Sequence, residues 1–220
     1  MSVERKNATP SAGPTDAMTI DPVYGDLQYL PEMQKNLLKG NVVRGFIRYA
    51  IDTYGREATE RMAQTLPDDA RNLVMEPPLP SLWVPFGPHM EMVRGMALQL
   101  MEGDIPKFRA IAEYIARTDI ASVYKVLLKM LSTPSFLINR IGSVHDMYAR
   151  GVELRGSTPM PGRGHVALVS GVLPLFHCTY GVPGWLDAAL NLYGVKTPRI
   201  EHETCRHRGD PQCTWSVRWT

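Results

Sequence analysis

The sequence predicts an α+β fold in which amphipathic helices come first and a small antiparallel sheet comes last. Two observations carry this. Apolar residues recur at helical spacing from Lys39 to Arg140. After Met147, β-favouring runs alternate with glycine- and proline-rich turn signals. Helices followed by strands, without βαβ alternation, argue for one α+β domain over residues 39–220.

The chain has 220 residues, 44% hydrophobic and 21% charged, so it can bury a core without staples and is not globally disordered. Its 24 Lys+Arg against 22 Asp+Glu leave a formal charge of +2, which gives no basic face for nucleic acid. The longest apolar run, Val166–Phe176, is broken by Ser170, Gly171 and Pro174, so no membrane span is expected. Met1–Asp21 is polar and proline-bearing without an apolar core. It reads as a disordered tail and not as a secretory signal, and a cytoplasmic location follows. Residues 22–38 form an arm, Val23–Leu30 within it being apolar enough to pack on the domain or on a second subunit.

Val43, Phe46, Ile47, Ala50, Ile51 and Tyr54 mark the first helix, which Gly55 ends; Arg56–Leu66 forms the second, stopped by Pro67. Asp68-Asp69 suit a helix N-terminus. Glu76–Pro88 carries five prolines and reads as a loop whose leucines and aromatics lie against the core. His89–Met101 resumes the helical pattern, Asp104–Pro106 opens a helix to Arg117, Thr118–Leu131 makes another, and Thr133-Pro134 starts the next. Met147–Leu154 and His165–Ser170 form a hairpin across the loop Gly156–Gly164. Gly171–Tyr193 is helical up to Gly194, and Val195–Thr204 and Thr214–Trp219 pair around the turn Gly209-Asp210-Pro211.

All three cysteines and four of the six histidines lie after Gly164. An odd cysteine count in a reducing compartment favours free thiols or metal ligands. Cys205 and Cys213 flank the Gly-Asp-Pro turn, so a hairpin brings both sulfurs toward one point. His202 could add a nitrogen and Cys178 a third sulfur, the tetrahedral set that structural zinc takes; buried free cysteines acting as small hydrophobes are the other reading.

The segment Cys205-x7-Cys213, with Gly209-Asp210 inside it and Thr214-Trp-Ser-Val-Arg-Trp219 after it, resembles the 4-vinyl-reductase domain. That domain occurs in bacteriochlorophyll-pathway proteins and in the sensor module of phenol-responsive transcription activators. Phe176-His-Cys178-Thr-Tyr-Gly181-Val-Pro-Gly-Trp185 is similar to its preceding helix. The likeness is specific over Leu173–Thr220 and architectural from Lys39; the whole chain is also similar to standalone bacterial paralogues of about this length. The resemblance implies a haem-NO-binding-like and 4-vinyl-reductase-like architecture, and zinc held structurally by Cys178, Cys205 and Cys213. His202 stands where the family has glutamate, and Glu201 and Glu203 flank it, so the fourth ligand stays open among the three. It further implies a homodimer that binds a small hydrophobic or aromatic molecule, with Trp83, Phe86, Met147, Tyr148 and Phe176 around the pocket, and acts through protein partners as a regulatory sensor. The alternative it carries is an enzyme or accessory protein of tetrapyrrole metabolism. The Tyr-x-Ser-x-Arg clamp that haem sensors use for propionates is missing, so haem is not expected. No strand-turn-helix nucleophile elbow or phosphate cradle occurs in the sequence, and no enzyme activity is predicted.

Overall fold

The computed structural model describes residues 25, 27, 28, 30–123 and 133–220. The tail Met1–Asp21, Val23, Tyr24, Asp26 and Tyr29 of the arm, and residues 124–131 of the expected Thr118–Leu131 helix lie outside the described residues. Leu27 is fully buried, and its carbonyl accepts a hydrogen bond from Arg94 Nε at 3.3 Å.

Helix α1 (Gly40–Tyr54) and α2 (Arg56–Gln64) are separated by Gly55, whose φ of 88° is open to glycine but costly for other residues. Helix α3 (Asp68–Met75) starts after Pro67 with both aspartates in its first turn, where negative charge meets the positive end of the helix dipole. Helix α4 (Phe86–Gly95) runs on into a π-helical turn, Met96–Leu100. A 3-10 turn, Ile105–Lys107, leads into α5 (Phe108–Val123). Helices α6 (Pro134–Asn139), capped by the Thr133 hydroxyl on the Phe136 N–H, and α7 (Ile141–Asp146) follow. A second π-helical turn, His177–Gly181, opens α8 (Val182–Leu192).

Two antiparallel sheets complete the α+β architecture. Strands β4 (Glu153–Met160), β5 (Arg163–Ser170), β6 (Arg199–Thr204) and β7 (Cys213–Arg218) form a four-stranded sheet in the order β4-β5-β7-β6. Three very short strands, β1 (Leu37–Lys39), β2 (Trp83–Pro85) and β3 (Ala149–Arg150), form the other, with β1 in the middle.

The structure departs from the expected elements in several places; Gly171–Pro174, expected to be helical, lie outside helix, and the strand expected from Val195 begins at Arg199. The proline-rich stretch is only partly loop: β2 lies inside it and α4 begins at Phe86, with Pro88 in the first turn where its missing N–H removes no helical bond. Leu79 and Leu82 stay exposed and do not lie against the core; what the loop contributes is carbonyls. Those of Leu82 and Pro80 accept from the otherwise orphaned N–H groups of Gly40 and Asn41, and that of Pro77 accepts from Arg44. Helix α5 runs through Thr118 unbroken, with the threonine hydroxyl donating back to the Tyr114 carbonyl at 3.0 Å rather than capping a new helix. The segment Gly156–Gly164 is largely strand, the hairpin turning only at Pro161-Gly162 with Gly162 at φ 73°. Pro159 is tolerated because β4 is an edge strand, where not every N–H needs a partner. Met147 follows α7 and is not in a strand, and β3 joins the three-stranded sheet.

The buried side chains form two clusters. One is built by α1–α5 around Met62, Met90, Met96, Phe108 and Ile111; the other is built by α6–α8 and the four-stranded sheet around Ile138, Val166, Leu186 and Trp215. Helix α5 belongs to both, since it packs on α1 and more extensively on α8. Gly184 permits that approach: a Cβ there would fall 2.7 Å from the Arg109 carbonyl oxygen. Arg109 also pairs with Asp187 of α8.

Candidate functional site: a histidine-lined cavity beside a three-thiol cluster

Where the two clusters meet, the chain leaves a cavity of about 140 Å³. Its wall draws Phe46, Phe86 and Phe108 from one cluster and Ile141, Leu154 and Leu186 from the other. The described wall contains no aspartate, glutamate, lysine or arginine. Its polar side chains are Tyr148 and three imidazoles, those of His89, His145 and His177, with Trp185 contributing an indole.

Each histidine is placed by a helix end or turn. His89 sits in the first turn of α4, 2% exposed, edge-on to Phe46 at 4.8 Å and tilted against Phe86 at 5.8 Å. His145 is in the last turn of α7. His177 opens the π-helical turn, and Gly181 leaves the space its ring occupies, since a Cβ there would stand 2.7 Å from His177 Nδ1. Burial in an apolar wall disfavours the imidazolium form in all three. It lowers His89 to about 3, with His177 nearby adding to the effect, and lowers His177 to about 4, with His145 adding. His145 is lowered by burial against the opposing pull of Asp146. All three imidazoles are therefore neutral at physiological pH, and Nδ1 of His89 and of His145 is buried without a hydrogen-bond partner.

The residue after His177 belongs to a second constellation. Cys178, on the π-helical turn, meets Cys205 and Cys213, which flank the β6–β7 connection; all three are buried, and their sulfurs lie within 4.8 Å of one another. Cys178 Sγ is 3.8 Å from Cys213 Sγ, and Cys213 Sγ is 3.7 Å from Cys205 Sγ. Two tetrahedral ligands at a Zn–S distance of about 2.3 Å stand roughly 3.8 Å apart, so this spacing fits a common ion. The surroundings favour thiolate: the Arg206 N–H points at Cys213 Sγ at 3.4 Å, and Asp210 accepts from the Cys205 N–H at 2.7 Å, which shapes the turn closed by Gly209 at φ 88°. Hydrogen bonding lowers Cys213 to about 4, first from Cys178 and then from His202 and the Arg206 backbone, while Cys178 is raised and keeps its proton. The carbonyl of Cys178 accepts from Trp215 Nε1 at 2.9 Å, fixing the turn to β7.

The fourth ligand is not assembled with these three. His202 stacks on Trp215 at 5.2 Å and adjoins Cys213, and its Nε2 is buried without a partner, but no His202 nitrogen joins the sulfurs within 4.8 Å. Glu201 and Glu203 point outward on the alternating strand, Glu201 toward Arg218. Of the five residues expected around a pocket, Phe86, Tyr148 and Phe176 line the cavity. Trp83 lies on the short sheet between Lys39 and Arg150, each 4.1 Å from its ring, and Met147 is exposed. The three cavity histidines were not expected there; the signal for His89 is its place on the apolar stripe of Phe86, Met92 and Val93.

No family model matches the sequence, and no curated protein matches it either. Solved structures do. An H-NOX protein from K. algicida in the Fe(II) unliganded state is similar with a TM-score of 0.66 at 13% identity, covering 83% of this chain and 97% of that one. An S. oneidensis H-NOX protein in the Fe(II)NO state gives 0.64 at 15%, covering 83% and 99%. An oxygen-binding H-NOX domain related to soluble guanylate cyclases gives 0.60 at 9%, covering 83% and 95%. The chain has the H-NOX fold. That is the architecture expected from the sequence, in which N-terminal helices and a C-terminal sheet enclose a central site.

The iron porphyrin that this likeness brings to mind does not fit the cavity. It needs an axial donor, cations for two propionates and room for four pyrroles. The imidazoles could serve as donor, but the described wall has no cation, and an apolar cavity of about 150 Å³ holds a single benzene ring. No helix among the described residues is long and apolar enough to cross a membrane.

Proposed function

We propose that this chain is a small-molecule-binding sensor module of the 4-vinyl-reductase-like kind, which takes a compact hydrophobic or aromatic ligand into the cavity between its two cores. The observation that carries this reading is the cavity itself: an apolar space with a few polar groups, placed where helices and sheet meet, is the usual form of a ligand site. Well-packed interiors keep few spaces of this size. In this reading the chain acts as a regulatory homodimer through protein partners in the cytoplasm.

The second part of the proposal is a structural zinc held by Cys178, Cys205 and Cys213, with His202 closing the shell. It is supported by the sulfur spacing and by the side chain of His202 beside Cys213, which, after Cys178, helps hold that thiol's pKa down. Bound there, zinc would supply a closed four-coordinate clip between the β6–β7 hairpin and the turn before α8. The chain's own residues do the rest. Trp215 holds the Cys178 backbone, the Arg206 amide holds the Cys213 sulfur, and His207 Nε2, 2.7 Å from the Leu173 carbonyl, ties the hairpin to the segment entering the turn.

Native mass spectrometry of freshly purified protein tests both parts together. A dimer carrying one zinc per chain and releasing a small molecule on denaturation is the expected result. A metal-free monomer that shows no shift in melting temperature with any of a panel of neutral aromatic compounds would contradict the reading.

A further inference from the structure

Away from the cavity and the thiols, the outer face of the four-stranded sheet carries an unbalanced row of charge. Strand register sets Arg163 of β5 opposite Arg218 of β7, and Arg218 opposite Arg199 of β6. Alternation puts the three side chains on the face that Val166, Trp215 and Val217 do not use, since those three are buried in the core. All three arginines are exposed. Met160, half exposed, lies opposite Arg163 at the β4 end of the same row. Like charges directly opposite one another destabilise a sheet, so folding gives no reason for this row. The carboxylate beside it is Glu201, 3.4 Å from Arg218; among the described residues Arg163 and Arg199 have no acidic partner. Glu153 and Glu203 stand at the opposite end of the sheet, Glu153 being paired with Arg155 at 2.8 Å.

We propose that the Arg163–Arg218–Arg199 row is a docking surface for an acid-faced α-helix of another protein. The spacing of the row selects this occupant. Neighbouring strands stand about 4.8 Å apart, so the three arginines spread over about 10 Å at right angles to the strands. On a helix, side chains at i, i+4 and i+7 share a face and span about 10 Å, at 1.5 Å per residue. Three carboxylates so placed, on a helix laid across the strands, each meet one guanidinium, whose planar fork takes a carboxylate through two N–H groups. An extended acidic segment fits less well, because its same-face side chains are about 6.6 Å apart. A second copy of this chain does not supply the partner: no helix among the described residues carries carboxylates at three such positions, and the formal charge is +2. That near-neutral total also lacks the broad basic field that nucleic acid calls for. The assignment rests on the reading of the chain as a module that acts through a protein partner, and adds to it the face and the partner's chemistry.

NMR titration of the isotope-labelled full chain tests this with two alanine-based helical peptides, one bearing glutamate at i, i+4 and i+7 and the other glutamine at the same positions. The glutamate peptide is expected to shift amides centred on Arg163, Arg199 and Arg218, the glutamine peptide to shift none, and binding to weaken at about 0.3 M salt, where exposed charges are screened. Arg163→Gln and Arg199→Gln should each weaken binding about 2–5-fold, the range of an exposed ion pair. Their urea midpoints should equal or exceed that of the wild type, because a like-charged neighbour is gone. Shifts that are absent, lie elsewhere or are as large with the glutamine peptide overturn the assignment. So does a lowered urea midpoint in both variants, which would show that the arginines are kept for the fold. Tighter binding of a short DNA duplex at the same amides gives the face to nucleic acid, and shifts that grow with protein concentration alone give it to a second copy; either result overturns the acidic helix. Failure here removes this face as the docking surface and leaves the cavity and the metal, which native mass spectrometry reports separately, as they stand.

Discussion

Among single residues, the three cysteines are the sharpest case of chemistry set by packing. A buried thiol alone behaves as a small hydrophobe, and three of them could fill a core. Here two sulfur pairs stand 3.7 and 3.8 Å apart, and backbone N–H groups aim at the site, a pattern suited to thiolates around a cation. Replacing Cys205 by serine should release bound zinc and lower the melting temperature by roughly 5–10 °C, taking a few kcal/mol for a lost structural ligand and about 2–4 °C per kcal/mol at this chain length. A chelator should lower the wild-type melting temperature and leave that of Cys205→Ser unchanged. If chelator shifts neither protein, the thiols are core residues and no more.

Between elements, glycines set how closely helices and sheet approach. Gly156 of β4 lies under α6, and a Cβ there would stand 1.9 Å from the Ile138 carbonyl oxygen; Gly142 of α7 faces the Leu154 carbonyl at 2.4 Å. Backbone cannot swing aside as a side-chain tip can, so the whole helix pair must shift. Gly156→Ala is expected to destabilise by about 1–3 kcal/mol or more, read as a lowered urea midpoint. Gly194→Ala is the contrast: φ is 88° but nothing lies within 4 Å, so it should cost only the backbone strain, roughly 1–2 kcal/mol. An unchanged urea midpoint in Gly156→Ala would show that α6 gives way and that this contact does not set the spacing. Sequence periodicity located α1, α2 and the end of α8 because each carries a clear apolar stripe and a glycine or proline that stops it. It placed the hairpin turn poorly because Pro159 and Gly156 look like loop residues unless the strand is known to be an edge lying against a helix. The three-stranded sheet left no pattern to read, since β1, β2 and β3 are three, three and two residues long and their pairing is entirely non-local.

Over the whole molecule, the site lies where two cores meet, which is why its polar members were the hardest to foresee. Cys178, Cys205 and Cys213 declared themselves by residue type and spacing. His89, His145 and His177 come from three distant segments and converge only once α5 has joined the two clusters. Their joint burial has a consequence for the stability of the fold as a unit. The imidazole of His89 is lowered to about 3 in the folded chain, whereas in the unfolded chain it titrates near 6.5. Between those values the unfolded state binds a proton that the folded state refuses, so acidification favours unfolding and stability rises with pH across the window. Above about pH 6.5 both states are neutral at this position and the dependence vanishes. At pH 4.5 the penalty from His89 alone is about 2–3 kcal/mol, at 1.36 kcal/mol per pH unit below 6.5. His145, lowered by the same burial, acts in the same direction. Carboxylates also titrate in this range, but they contribute alike to the wild type and to a His89→Leu variant. The urea-unfolding free energy of the wild type should therefore fall by about 2–3 kcal/mol more than that of His89→Leu between pH 7.5 and 4.5. Parallel losses in the two proteins would show that the proton goes elsewhere and that His89 carries no buried-imidazole penalty.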